Sequence, residues 1–239
     1  SLLIIVVWEL YGRTTSSLVF PSFSEVLYGL YDMFVVTANI YSTLGLTLQQ
    51  LFIGYLLAVA VALPVGLIMG TSDIGKHVLD PYVNILFVTS VTSLLPFLII
   101  IFGTDLAFRV SVVFLFGVFH MTLNFQAAME NVNEELVNAG RCFGAKGKEL
   151  YRHVRIPAAL PLIIAGLRLG IGRSIKGMVV AELWIFSGIG FLLHTYQQSL
   201  AVGHVFALVL VLMLLGVTAV RGLYFLEDRF APWQAAKAD

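Results

Sequence analysis

The sequence predicts an all-α, polytopic membrane protein with about six transmembrane helices, and two observations carry that prediction. Only 12% of the 239 residues are charged while 59% are hydrophobic, giving a mean hydropathy of +0.93. A soluble domain carries about 25% charged residues, so this chain has too little polar surface to cover a globule in water. The apolar stretches are also long and do not alternate with polar residues. A spanning helix needs roughly 20 mostly apolar residues, whereas barrel strands alternate over about 10. The spans are therefore expected to be helices of a single transmembrane domain covering residues 1–239.

The expected helices run in order along the chain. The opening SLLIIVVWEL has no basic flank of the kind a signal peptide carries and reads as part of a first membrane helix, Leu2 to Tyr11. The second helix is expected over Tyr41–Met69, with Pro64 as a kink, and the third over Val78–Phe102, with Pro96 inside it. The fourth covers Leu106–Met129, the fifth Ala158–Leu183 and the sixth Val205–Leu226. Gly66 and Gly70 are four apart, as are Gly166 and Gly170, a spacing that lets backbones approach closely in lipid.

Residues 12–40 form the first outer loop. Within it, Ser24 is expected to cap a helix on which Val26, Leu27, Leu30, Phe34 and Val35 recur at helical spacing, while Glu25 and Asp32 keep it from spanning. Such a helix either lies at the membrane interface or packs on the bundle as an ordinary loop helix.

Basic residues set the orientation. With a cytoplasmic N-terminus the inner segments hold Lys76, Arg141, Lys146, Lys148, Arg152, Arg155, Arg229 and Lys237, eight in all, against two outside, Arg13 and Arg109. That asymmetry satisfies the positive-inside rule and leaves both termini, including the tail 228–239, in the cytoplasm. The formal net charge of +0 points to no nucleic-acid partner. Cys142 is the single cysteine and can form no disulfide within the chain.

One inner loop, residues 130–157, is polar, basic and longer than a simple connection: ENVNEELVNAGRCFGAKGKELYRHVRIP. Asn133 is placed to cap a short helix over Glu134–Phe143 with acidic residues in its first turn, and Gly144 offers a stop. A second helical piece is expected over Lys146–Arg155, ending at Pro157. A short helix held on two apolar rods suits a cytoplasmic docking partner; a solvated connecting loop would look the same from chemistry alone.

Ionisable and hydroxyl residues inside the spans are candidates for a permeation pathway, because charge at membrane depth is costly and usually faces a cavity or partner. On the fifth helix Arg173 and Lys176 are three apart and share a face, with Arg168 nearer the inner end and Glu182 nearer the outer. They either help an anion across or pair with a carboxylate or carbonyl of a neighbouring helix. Thr89, Ser90, Thr92 and Ser93 precede Pro96 on the third helix and either line a pathway or bond back to their own helix. His120 and Asn124 on the fourth share a face and suit a pathway lining or a helix-to-helix hydrogen bond. The five histidines show no ligand spacing, no catalytic constellation stands out, and no GxxxxGK[ST] phosphate loop is present, so neither a metal, a catalytic residue nor ATP binding is assigned to this chain.

The inner loop resembles the EAA loop of ATP-binding cassette importer permeases, whose pattern is Glu-Ala-Ala, three residues, Gly, nine residues, Ile-x-Leu-Pro. Asn138, Ala139 and Gly140 take the first three places, Gly144 the glycine, and Val154, Ile156 and Pro157 the last. The departures are Asn138 for Glu and Gly140 for the second Ala. FPSFSEVL, GLIMGTS, Asp80-Pro81 and GLRLGIGRSIKGMVVAEL are similar to segments of the permeases for taurine, aliphatic sulfonates, nitrate and thiamine-precursor pyrimidines. The resemblance implies a type I importer permease fold whose coupling helix docks in an ATPase subunit. It implies that Glu135, Asn138, Ala139, Gly140, Arg141, Gly144, Ala145, Val154, Ile156 and Pro157 carry that coupling. It implies a second copy of the permease, two ATPase subunits that bind ATP and Mg, an extracytoplasmic substrate-binding protein, and the bacterial inner membrane. The solute is expected among sulfonates, nitrate, pyrimidines, flavins or aromatic acids. A stand-alone secondary transporter or channel is the alternative and would show inverted repeats; a membrane-embedded enzyme would need a catalytic cluster in the span.

Overall fold

A computed structural model describes residues 2–14, 20–38 and 40–230. Among these residues every regular element is helical: α1 Leu2–Thr14, α2 Phe23–Tyr31, a π turn Asp32–Val36, α3 Ile40–Thr71, α4 Asp73–Val88, α5 Val91–Phe102, α6 Leu106–Glu130, α7 Glu134–Cys142, α8 Lys148–Leu150, a second π turn Tyr151–Arg155, α9 Ile156–Ile185, α10 Gly188–Gln198 and α11 Val202–Phe230. Within the predicted cytoplasmic tail, residues 231–239 lie outside the described residues, as do 15–19 and 39 of the outer loop.

Among the described residues four helices are long and apolar enough to cross a membrane: α3, α6, the continuous Lys148–Ile185 rod that contains α9, and α11. A fifth span is made if α4 and α5 count as one, but they meet at 95°. The single third helix expected over Val78–Phe102 is therefore corrected to a broken one. The break falls at Thr89-Ser90, both extended, and not at Pro96, which sits inside α5. Ser90 is the N-cap of α5, and Pro96 falls in the middle of that helix, which continues through it. The first helix, with 13 residues, is shorter than a span needs.

The centre is a three-helix layer in which α6 is clasped between α3 and α9. Tyr55, Ala58 and Ala62 of α3, Val118, Met121 and Phe125 of α6, and Ala159 and Ile163 of α9 form its buried core. Both predicted glycine pairs face α6. A Cβ on Gly66 would lie 2.7 Å from the Thr122 carbonyl oxygen, one on Gly70 2.6 Å from that of Gln126, and one on Gly166 2.9 Å from the Phe125 ring. Close backbone approach replaces the hydrophobic driving force that lipid does not supply. Outward, Phe52, Phe97, Ile100, Met213 and Leu214 are exposed, as lipid-facing side chains are.

A second cluster joins α2, α10 and α11 through Val26, Met33, Ile189, Leu192 and Leu208. Here Ser22, not Ser24, caps α2. Its hydroxyl accepts from the Glu25 N–H and the Glu25 carboxylate accepts from its own N–H, a reciprocal capping box whose Ser-x-x-Glu spacing starts only at Ser22. Ser24 instead donates to Glu9 of α1. Val26 and Met33 are buried and Leu30 and Phe34 half-buried, while Leu27 and Val35 are exposed. The helix packs one face on α11, where Gly29 lies against Gly203 and His204, and His204 is paired with Asp32 at 3.2 Å.

Candidate functional site

The polar loop is built as the sequence suggests at its start and differently at its end. Asn133 caps α7, its side-chain oxygen accepting from the Glu135 N–H at 2.8 Å, and Glu134 and Glu135 occupy the first turn, where the helix dipole favours them. Only Val137 of α7 is buried; Leu136, Asn138, Ala139 and Arg141 face outward. Gly144 follows at φ +90, a conformation L side chains rarely adopt. The chain then re-enters helix and does not stop at Pro157. The π turn Tyr151–Arg155 runs straight into α9, with proline in the first turn. A π turn is wider than an α turn, which accommodates a proline ring that would strike the preceding carbonyl of a regular α-helix. Gly140 seats α7 on this turn, since a Cβ there would lie 2.9 Å from Val154 and 3.0 Å from Leu150.

The loop therefore presents an outward-facing tip. Arg141 reaches Asn138 Oδ1 at 3.5 Å, and Phe143 is 94% exposed, an isolated aromatic side chain among Arg141, Lys146 and Lys148. Behind α7 a polar cavity of about 360 Å³ separates it from the α3–α4 turn, lined by Asp73, Lys76, Glu130, Asn138, Arg141 and Arg155 among others. Lys76 bridges α4 to α6 through Glu130 at 2.9 Å, and Gln126 donates to the same carboxylate. These contacts fix the inner end of α6, from which the loop leaves.

Within the membrane, the candidates separate into three groups. Thr89 and Ser90 of the α4–α5 break, Thr92 of α5, His120 of α6 and Arg173 of α9 line one cavity of about 200 Å³. Ser93, Asn124, Lys176 and Glu182 do not. Asn124 bonds back to the His120 carbonyl at 2.7 Å, and Thr89 to that of Ile85 at 2.8 Å. Among the described residues neither Arg173 nor Lys176 has a carboxylate or hydrogen-bond partner. Arg168, by contrast, lies over the Tyr224 ring at 4.2 Å.

Glu182 is fully buried. Thr47 and Gln50 of α3 donate to one of its carboxylate oxygens, and the Gly190 N–H donates to the other at 3.0 Å. The carboxylate thereby fastens the start of α10 to α3 across the α9–α10 turn. Thr47 and Gln50 were not singled out from the sequence. Their signal was there, two polar residues three apart on one face of an apolar helix. Phe143 was missed as well, because exposure of a single aromatic residue is not legible from composition.

Residues 62–232 match the family described as binding-protein-dependent transport system inner membrane component. The chain belongs to that family. This permease is 27% identical over 221 residues to a probable ABC transporter permease protein of Brucella abortus (strain 2308), covering 92% of this chain and 88% of the relative. It is 27% identical over 197 residues to the taurine transport system permease protein TauC of Escherichia coli K12, covering 82% and 72%. It is 28% identical to the putative aliphatic sulfonates transport permease SsuC of the same organism, covering 98% and 89%. An inward-facing structure of the MetNI methionine ABC transporter superposes with a TM-score of 0.58 and 18% identity, covering 84% of this chain and 96% of that one, a likeness of fold. The protein is a multi-pass membrane permease subunit of an ABC importer, with the type I importer permease fold, and the stand-alone transporter alternative falls away. ATP hydrolysis in such systems belongs to a separate subunit.

Proposed function

We propose that the permease works as a pair of identical copies, each docking α7 and the Phe143 tip into a cytoplasmic ATPase subunit that binds ATP and Mg, with an extracytoplasmic binding protein delivering the solute. The observation that carries this reading is the tip itself: a short capped helix, almost wholly outward-facing, seated through Gly140 on Val154 and Leu150. A connection without a partner gains nothing from exposing Phe143. Nucleotide-driven closure of the ATPases would pull on α7, and the continuous α8–α9 rod passes that motion into the span beside the Arg173 cavity. Alternating access is a two-state equilibrium that nucleotide biases. Both termini are cytoplasmic on this reading, as the basic residues require.

The solute is a small anion of the sulfonate class. Arg173 and Lys176 supply positive charge at membrane depth without a neutralising carboxylate among the described residues, and relatives bear the names of taurine and aliphatic sulfonate permeases. The test is ATP hydrolysis by the purified complex in lipid, with and without Arg141→Glu. Activity that requires a co-purified ATPase subunit and falls on charge reversal is expected. A chain that purifies alone and passes sulfonate without ATP overturns the reading.

A further inference from the structure

Resting on the permease assignment above, we propose that the angle between α4 and α5 is the oxyanion subsite of the permeation pathway, in which Arg173 holds the charged head of the solute and Phe87, Phe116 and Phe119 hold its apolar part. The site lies mid-span: His120 and Arg173 sit near the middle of α6 and α9, and both line the cavity beside the Thr89-Ser90 break. Extended backbone at that depth is tolerated only where it is buried in protein or lines a water-filled space. Proline does not account for the break, because Pro81 and Pro96 both lie inside the flanking helices.

The chemistry of the lining selects for an anion. Arg173 is its only permanently charged group, and no carboxylate lines it. An arginine left unpaired at membrane depth is costly unless something else balances it, and here a transient occupant would do so. The Thr89 hydroxyl proton is taken by the Ile85 carbonyl. The Ser90 and Thr92 hydroxyls make no hydrogen bond among the described residues, and Ser90, although the N-cap of α5, caps no N–H with its side chain. Two hydroxyl donors therefore remain in the same lining as the guanidinium, and the start of α5 adds the positive end of its backbone dipole. On the other wall Phe87 packs against His120, ring centroids 4.8 Å apart. A volume of about 200 Å³ is below the roughly 300–1,000 Å³ of pockets for drug-sized ligands, which suits a solute of a few heavy atoms such as a short alkanesulfonate. Lys176 does not line the cavity, so it acts elsewhere on the path.

Thiol labelling tests the subsite without relying on transport. In the full transporter in membranes, with Cys142→Ser as background, Ser90→Cys is reacted with an anionic and a cationic methanethiosulfonate, the sulfonatoethyl and trimethylammonioethyl reagents. Rates are normalised to those with free 2-mercaptoethanol. A cleft of one charge sign concentrates counter-ions by about tenfold or more, so the sulfonate reagent should react about tenfold faster. Arg173→Gln should abolish that preference, and propanesulfonate but not propyltrimethylammonium should protect the thiol. If Arg173→Gln is not recovered from membranes, protection in the Arg173 protein decides the matter alone. Equal normalised rates, no reaction with either reagent, a preference that survives Arg173→Gln, or protection by both solutes would each overturn the subsite. The ATPase measurement at Arg141 is independent, so loss of the subsite would leave the importer assignment standing.

Discussion

Replacing Gly188 by alanine should destabilise this protein through two separate effects in the α9–α10 turn. Gly188 has φ +59 and follows Phe186, itself left-handed at φ +49, so the turn is already committed to backbone conformations that L residues resist. A left-handed alanine costs roughly 1–2 kcal/mol. The new Cβ would also be driven into the carboxylate of Glu182, closer than atoms can approach. The carboxylate can retreat only by giving up a donor such as the Gly190 N–H, and a hydrogen bond to a charged group is worth about 1.5–3 kcal/mol. The sum is about 2.5–5 kcal/mol. On the scaling for chains of this size the thermal midpoint should fall by roughly 10 °C, measured by fluorescence-detected size exclusion in mild detergent. Gly45→Ala is the control: nothing lies within 4 Å of its added Cβ, and alanine is favoured over glycine inside a helix by about 0.5–1 kcal/mol, so its midpoint should hold or rise. In a Glu182→Ala background the clash is gone, and Gly188→Ala should cost only the backbone part. A Gly188→Ala protein that melts with the wild type would refute the packing of Glu182 beneath the turn.

Other substitutions separate stability from coupling. Phe143→Ser removes a side chain that touches almost nothing in this chain; the melting temperature should stay put while co-purification of the ATPase subunit drops, and a fall in both would mean the ring packs within the permease. Asn138→Glu restores an acidic side chain beside Arg141, and ATPase and uptake rates should change little, because the neutral amide already accepts from the guanidinium; a sharp rise in both would show that asparagine limits coupling. Lys176→Met should lower uptake of a short alkanesulfonate more than it lowers the yield of assembled complex, and normal uptake would remove Lys176 from the path. Lys76→Met breaks a half-exposed ion pair worth about 1 kcal/mol or less, so only a small shift in thermal midpoint is expected; a large one would mean that the pair and Gln126 act as a buried network.

The membrane class, the order of the spans and the cap of α7 were legible because each depends on local sequence. Asn133 followed by two acidic residues specifies a helix start whatever surrounds it. The capping box at Ser22 was equally legible, and its Ser-x-x-Glu spacing distinguishes it from Ser24. The third helix misled because an uninterrupted apolar run looks the same whether straight or bent at 95°. Pro157 misled because a proline that ends an α-helix is compatible with the first turn after a π turn.

Sequence alone determined that this chain lives in a bilayer, spans it with helices and carries one polar loop that matches a known coupling motif. Composition and periodicity suffice there, because lipid forces every span to satisfy its own backbone. Only the tertiary structure decided which polar residues meet. Thr89 and Ser90 of the α4–α5 break, Thr92 of α5, His120 of α6 and Arg173 of α9 gather in one cavity, whereas Glu182, which looked like their companion, is sealed beneath a turn by Thr47, Gln50 and Gly190. The difference is set by helix rotation and by which glycines let α3, α6 and α9 close on one another. Those are properties of the packed bundle and of no single segment.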